Sequence, residues 1–186
     1  MAFPSDKKTL SSAGLWEYAL RSLDRRAFST AELRKKLALR AEAPAVLNEV
    51  IAKLQEYGML NDRRFAEIYA SSRLEGQGLG ASRVLRDLRA KRVSPAEAEQ
   101  AVGTVYARTD EFALACSFLK RKLRGKNLSE YLGEEKHLVS AFRRLRMAGF
   151  SSNVSLKALK LYSRSAEEIP ELENDPEEPI EDEQPG

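Results

Sequence analysis

Three glycines within five positions, in the stretch "RLEGQGLGASR", are the residues of this chain that most resemble a site for chemistry. Glycine-rich loops bring backbone N–H groups close to phosphates, but such loops follow a β-strand and carry either a terminal Gly-Lys-Ser/Thr or the Gly-x-Gly-x-x-Gly spacing. Here Gly76, Gly78 and Gly80 are spaced Gly-x-Gly-x-Gly, and the preceding "DRRFAEIYASSRL" has a helical pattern. We therefore interpret the glycines as a joint between two helices. Gly76 or Gly78 ends the first helix in a left-handed conformation, and Gly80 caps the second.

Other reactive residue types are sparse. The chain has a single cysteine, Cys116, and a single histidine, His137, so the sequence predicts neither a disulfide framework nor a Cys/His metal site. No nucleophile and base at a recognisable spacing accompany His137. We therefore expect a protein that is not an enzyme and that uses no cofactor.

The elements that must position any functional residue are helices. In "PAVLNEVIAKLQEYG" the apolar residues recur at helical spacing, Pro44 suits a first turn and Gly58 suits a C-terminal cap. The segments "STAE" and "SPAE" match the capping box that begins a helix, with Ser29 and Ser94 as N-caps. Six further helices are predicted, over residues 13–25, 62–75, 80–91, 110–124, 135–148 and 152–163. The sequence therefore predicts an all-α fold.

The helices repeat along the chain. The segments "ELRKKL", "RVLRDL" and "SAFRRL" place an apolar residue four positions before a leucine, at offsets of 51 and 57 residues. In addition, "LRDLRAKRVSPAEAEQAV" aligns without a gap on "FRRLRMAGFSSNVSLKAL". Repetition of one supersecondary motif predicts an elongated array of three tandem three-helix repeats. The predicted divisions are a disordered N-terminus (1–12), the three repeats (13–60, 61–108 and 109–166) and a disordered acidic tail (167–186).

Charge is distributed unevenly. The tail "EEIPELENDPEEPIEDEQPG" holds ten of the 28 acidic residues and no basic residue, a composition typical of a disordered segment. The remainder therefore holds 31 basic and 18 acidic residues, a net charge of +13. A net positive charge on the part of the chain before the tail favours an anionic partner, either nucleic acid or an acidic protein surface. Neither a membrane-spanning run nor a secretion signal is visible, so we expect a cytoplasmic protein without membrane contact.

Two stretches at the centre of the chain resemble the RecX family, regulators of the RecA recombinase. The residues that carry the resemblance lie in "NDRRFAEIYASSR" (Asn61, Asp62, Phe65, Ala66, Tyr69, Arg73), in "GASRVLRDLRAKRV" (Gly80, Arg83, Val84, Leu88, Lys91, Val93) and in "STAELRKKL" (Ser29, Glu32, Leu33, Leu37). The resemblance extends over roughly residues 13–163. Family members commonly have glycine where this chain has Arg92, so we expect the turn before Val93 to close differently here.

The resemblance implies a non-catalytic, cofactor-free protein that binds the RecA filament along its helical groove. It also implies inhibition of strand exchange, of the DNA-dependent ATPase and of filament-stimulated repressor cleavage. An extended basic array suits such a role, because several weak contacts on one chain reinforce one another. We expect the protein to act as a monomer.

Basic residues are the candidates for contacting the partner. They form three sets, on the helix after Gly80, in "KRKLRGK" and on the helix of the third repeat: Arg83, Arg86, Arg89; Lys120, Arg121, Lys122, Arg124, Lys126; Arg143, Arg144. Two alternatives stay open at this point. One is a helical protein that binds single- or double-stranded DNA directly without contacting a recombinase, and the other is a helical adaptor that does neither.

Overall fold

A computed structural model describes residues 9–168, and the secondary structure of this part is helical. Its ten α-helices are α1 (Ser12–Arg25), α2 (Thr30–Ala38), α3 (Pro44–Glu56), α4 (Asp62–Ser72), α5 (Ala81–Ala90), α6 (Pro95–Tyr106), α7 (Glu111–Lys122), α8 (Leu128–Tyr131), α9 (Glu135–Met147) and α10 (Ser152–Lys160). A π-helical turn covers Arg73–Gln77, and a 3₁₀ turn covers Arg164–Glu168. The prediction of an all-α protein is confirmed.

The predicted terminal segments lie largely beyond these limits. Residues 1–8 and 169–186, and with them most of the acidic tail, lie outside the described residues. Part of the predicted disordered N-terminus is ordered, because the Leu10 N–H donates to the Arg40 carbonyl (2.6 Å) and the Leu10 carbonyl accepts from the Glu42 N–H (3.2 Å). The helical part then begins at Ser12.

The helix boundaries follow the local signals in the sequence. Ser29 caps α2 with the full capping box, and Ser94 caps α6 by accepting from the Glu97 N–H. Pro44 occupies the first turn of α3, and Gly58 after that helix has a φ of +66°. The helix predicted to run to residue 75 changes to a π-helical turn at Arg73. The short helix α8 has no counterpart among the predicted helices.

The described residues form two compact units, and the first holds the predicted repeat 1 and most of the predicted repeat 2. Of the described residues, this unit contains 9–77 together with Ala81–Thr109. Its helices bury apolar residues at three- and four-residue spacing, as in α3, where Leu47, Val50, Ile51 and Leu54 are all buried. Further along the unit, α4, α5 and α6 bury the following residues: Phe65, Ala66, Ala70, Val84, Leu88, Ala98, Ala101 and Val102.

The second unit contains Gly78–Gly80 and, as far as the structure describes the chain, residues 110–168. Its core combines residues from α7, α9 and α10 with residues from the intervening segments: Phe118, Leu119, Leu132, Leu138, Phe142, Leu145, Phe150 and Leu159. Leu79 packs against this core. The glycine-rich stretch therefore contributes to the packing of the second unit.

The glycines form a joint, as predicted, and not a phosphate-binding loop. Helix α4 and a π-helical turn precede them, where a phosphate loop would require a strand. Gly78 has the left-handed conformation, with a φ of +54°, and α5 begins directly after Gly80. Gly78, and not Gly76, is thus the left-handed residue of the joint.

Candidate interaction surfaces

Helix α5 presents the first set of candidate cations, and two of them bind carboxylates of the same unit. Arg83 donates through Nε to the Asp87 carboxylate at 2.9 Å, and this carboxylate also accepts from the Tyr69 hydroxyl at 3.2 Å. Arg89 lies 3.5 Å from the Glu99 carboxylate. Arg86 is exposed and forms no hydrogen bond or ion pair with another described residue. The charges of Arg83 and Arg89 are therefore balanced locally, and that of Arg86 is not.

The second candidate set lies at the end of α7. Lys120, Arg121 and Lys122 occupy the last turn, where cations stabilise the helix dipole. All five cations of this segment are exposed, and several lie over aromatic rings. The Lys126 ammonium, for instance, is 4.6 Å from the centre of the Tyr131 ring. Local stabilisation therefore explains part of this cluster.

Helix α9 carries the third set. Its apolar face is buried in the second unit through Leu138, Phe142 and Leu145. Arg143 and Arg144 are exposed, and neither side chain forms a hydrogen bond or ion pair with another residue of the described part. Together with Lys120 and Arg124, these two arginines are therefore candidate cations in the second unit whose charge no described carboxylate compensates.

A fourth basic surface, which was not predicted from the sequence, lies in the first unit. It is a groove of about 860 Å³, bordered by α2 and by the end of α5, which we call the α2 groove. Its basic residues are Arg26, Arg34, Lys35, Lys36, Lys91 and Arg92. Phe28, Ala31, Leu39 and Ala90 supply apolar lining, and Glu32 is its one acidic residue. The consecutive Arg34, Lys35 and Lys36 in "ELRKKL" were the available signal in the sequence.

Buried hydrogen bonds hold the two sides of the α2 groove together. The Ser29 side chain is fully buried, accepts from the Glu32 N–H at 3.1 Å and donates to the Lys91 carbonyl at 2.7 Å. The Lys91 ammonium lies 2.8 Å from the Glu32 carboxylate. On the neighbouring turn, the Thr30 N–H donates to the Asp62 carboxylate at 2.7 Å. These bonds join the start of α2 to the second repeat of the same unit.

The Glu32 carboxylate is ionised in this network. Its burial acts to raise the pKa, but the hydrogen bonds from Lys91 and from the Ser29 N–H, together with the charges of Lys91 and Arg26, outweigh burial and lower the pKa of Glu32 below its ordinary value. A lowered pKa in the folded state contributes stability at pH values above the unfolded pKa. That contribution is lost as the pH falls through the pKa of the folded state.

Arg92, on the edge of the α2 groove, has a left-handed backbone with a φ of +57°. It is the one residue other than glycine with a positive φ between residues 9 and 168. The Val93 N–H donates to the Leu88 carbonyl, five residues earlier, which closes α5 with the turn that normally places glycine at this position. The expectation that this turn closes differently is wrong, because arginine adopts the conformation that glycine would have.

The internal repeat shows the same turn with glycine in it. In the gapless alignment Arg92 corresponds to Gly149, whose φ is +93°. The Phe150 N–H donates to the Leu145 carbonyl, as the Val93 N–H does to Leu88. The geometry of the turn therefore requires a left-handed residue, and arginine occupies it at a conformational cost.

Replacing Arg92 with glycine is expected to raise the free energy of unfolding by about 0.5–1 kcal/mol. The left-handed conformation costs an ordinary residue about 1–2 kcal/mol, and the greater chain entropy of unfolded glycine offsets part of the gain. Urea denaturation of the full chain measures the change. Arg92→Ala is the control, because it removes the same side chain beyond Cβ and keeps the strain, so it should give no gain. Equal stabilisation by both substitutions would contradict the assignment of strain to this position.

The remaining reactive residues form no evident site. Burial raises the pKa of the Cys116 thiol, which favours its neutral form, and His137 stacks on the Tyr131 ring at 3.9 Å. Within residues 9–168 no three His, Cys, Asp or Glu side chains are grouped as metal ligands. The same residues contain no helix that is long and apolar enough to span a membrane.

Comparison with known proteins identifies what the chain is similar to. Residues 16–54 match the family model described as "RecX, first three-helix domain", and residues 61–102 match "RecX, second three-helix domain". The Regulatory protein RecX of Chromohalobacter salexigens is 33% identical over 124 residues, which cover 66% of this chain and 80% of that protein. The Regulatory protein RecX of Halorhodospira halophila is 38% identical over 84 residues, covering 45% of this chain and about half, 52%, of that relative.

A solved structure shares the fold. The crystal structure of RecX from Lactobacillus salivarius superimposes with a TM-score of 0.65 at 18% sequence identity, covering 81% of this chain and 96% of that chain. At 18% sequence identity, this structural similarity supports a shared fold and is no evidence of a shared function.

Proposed function

Because this chain belongs to the RecX family, we propose that it regulates homologous recombination and DNA repair by binding a RecA-type recombinase filament. In this role it acts as a cytoplasmic monomer without enzymatic activity. It lowers the DNA-dependent ATPase, strand exchange and coprotease activities of the filament, and so moderates the SOS response.

The observation that supports this proposal most directly is the family match across both domains of the first unit, at residues 16–54 and 61–102. The distribution of charge agrees with it. Arg86 in the first unit and Arg143 and Arg144 in the second are exposed cations without a carboxylate partner among the described residues. Contacts distributed over two units of one chain reinforce one another when they bind a repeating partner such as a filament.

Titration of the protein into a RecA-type recombinase assembled on single-stranded DNA is expected to lower the rate of ATP hydrolysis in a saturable manner. The ATPase assay measures this directly. An unchanged rate over the whole titration would reject recombinase regulation. Retention of DNA binding in that case would favour the alternative of a helical protein that binds DNA without contacting the recombinase.

Changing Arg143 and Arg144 together to glutamate is expected to raise the concentration needed for half-maximal ATPase inhibition about tenfold, because each reversal replaces a favourable interfacial charge with a repulsive one. Arg25 and Arg108, both exposed, provide the matched double reversal at positions outside the candidate sets. An equal loss of inhibition in the two variants would mean that net charge alone matters and that α9 is not a contact surface.

A further inference from the structure

The second unit and the segment that follows it carry opposite charges. Among its described residues, 78–80 and 110–168, the unit holds twelve lysines and arginines and seven aspartates and glutamates, a net charge of +5. Residues 169–186 hold eight carboxylates and no basic side chain. The segment after residue 168 therefore has the composition expected of a ligand for a basic surface of this unit.

The outward side of α9 is such a surface. Five of its residues recur at spacings of three and four, on the side opposite the buried residues of the helix, and form what we call the α9 face: Lys136, Ser140, Arg143, Arg144 and Met147. Lys136 lies 2.9 Å from the Glu134 carboxylate, so its charge is balanced. Arg143 and Arg144 have no carboxylate partner within the part of the chain that the structure describes. The uncompensated charge of the face therefore lies on the last two turns of the helix.

The stability of the helix explains only part of the α9 face. Arg144 lies in the last turn of α9, where the helix dipole favours a cation, but Arg143 lies before that turn. Arg146, in the same last turn, is half-buried and donates to the Phe150 carbonyl at 2.8 Å. Met147 adds an apolar side chain that is 66% exposed beside the two arginines. A ligand that carries both carboxylates and apolar side chains would match this combination.

Residues 169–186 carry both kinds of group. Ile169, Leu172 and Ile180 lie among the carboxylates in "IPELENDPEEPIEDE". The segment also begins on the same unit, because Ala166, shortly before the last described residue, is buried in the core that holds Phe142 of α9. Eighteen residues can span at most about 60 Å. Helix α9 is about 20 Å long, so the segment can reach its outward face.

We propose that residues 169–186 dock on the α9 face of the same chain, with Arg143 and Arg144 binding their carboxylates and Met147 contacting an apolar residue. Arginine binds carboxylates in a bidentate geometry through charge-assisted hydrogen bonds. Exposed ion pairs are individually weak, but attachment to the same chain gives the segment an effective concentration on the order of millimolar. The docked segment excludes other anions from the face. If the face contacts a filament, the segment must leave first, and this consequence alone rests on the proposed function.

Paramagnetic NMR on the full chain tests the docking without a recombinase. Asn174→Cys places a spin label within the segment and keeps all of its carboxylates, and Cys116→Ala removes the other thiol of the chain. At low salt the oxidised label is expected to weaken the amide signals of Arg143, Arg144 and Met147 at least about twofold relative to the reduced label. The effect should disappear at about 1 M salt, where the Debye length is about 3 Å. The dispersion of the signals in the same spectra shows whether each variant is folded.

Arg143→Gln/Arg144→Gln in the spin-labelled chain should restore the amide signals of the α9 face. The matched control is Lys120→Gln/Arg124→Gln, which removes two exposed cations of the same unit that have no carboxylate partner between residues 9 and 168. This control should keep the signal loss at the α9 face. Equal recovery in the two variants, or no signal loss at the α9 face before either substitution, would overturn the proposal. Signal loss in an isotope-labelled chain mixed with a spin-labelled chain without isotope would overturn it as well, and would assign the face to the segment of a second copy.

Discussion

Replacing Gly80 with alanine is expected to destabilise the second unit by about 3 kcal/mol, because the new side chain would collide with backbone atoms. A Cβ atom at Gly80 would overlap the carbonyl oxygen of Gly149 and would lie 2.5 Å from its carbonyl carbon. It would also lie 2.9 Å from the backbone nitrogen of Phe150. Backbone atoms cannot move aside as a flexible side chain can, so overpacking at this position must displace the chain.

A shift of the backbone would also break a hydrogen bond. The Gly80 N–H donates to the Ala148 carbonyl at 2.8 Å, and Phe150 beside it is almost completely buried. Urea denaturation monitored by circular dichroism measures the loss. Gly103→Ala in the middle of α6 is the control, because a Cβ there meets no atom within 4 Å. It should stabilise the protein by about 0.5–1 kcal/mol. Unaltered stability of Gly80→Ala would refute the close approach.

The roles of these glycines show how far sequence reasoning extends. The spacing in "GQGLG" and the helical segment before it were sufficient to reject a phosphate loop and to predict a joint. The same pattern contains no information on Gly149, because 69 positions separate it from Gly80 and only the folded backbone brings the two together. Local signals predicted the conformation of the joint, and tertiary packing explains why Gly80 has to lack a side chain.

The residues that carry the family resemblance are mostly structural. Asn61 caps α4 by accepting from the Arg64 N–H, and Asp62 accepts from the Thr30 N–H. The Tyr69 hydroxyl binds the Asp87 carboxylate. Because such residues fix the packing of the helices, the resemblance predicted the fold well. It gave no information on which surface contacts a partner.

The α2 groove could not be predicted from the sequence, because its residues come together only in the folded chain. Its cations come from the end of α1, from α2 and from the end of α5, segments that lie up to 66 residues apart along the chain. In the sequence, "RKK" marks one helix as basic, but it does not show which distant residues complete the groove. The residue type at position 92 does not reveal its left-handed conformation, since arginine gives no signal for a positive φ. The alignment with Gly149 held that information, because a left-handed turn in one repeat implies one in the other.

Substituting Ser29 with alanine is expected to lower the free energy of unfolding of the first unit by about 2 kcal/mol, because the side chain has two roles that are lost together. As the N-cap of α2 it accepts from the Glu32 N–H, a bond whose loss costs about 1 kcal/mol. Its hydroxyl also donates to the Lys91 carbonyl at 2.7 Å in a fully buried position, and loss of a buried bond costs about 1 kcal/mol more.

Ser94→Ala separates the two contributions. Ser94 is also an N-cap and also accepts from the N–H three residues ahead, but it is exposed, and its hydroxyl donates to the nearby Glu97 carboxylate. Its substitution should cost only the capping contribution of about 1 kcal/mol. Urea midpoints of the two variants, measured on the full chain at neutral pH, give the comparison. Equal losses would show that the bond between Ser29 and Lys91 adds nothing to stability. A larger loss at Ser29 would show that the hydrogen bond from its hydroxyl to the Lys91 carbonyl stabilises the packing of the two repeats beside the α2 groove, in addition to the capping of α2.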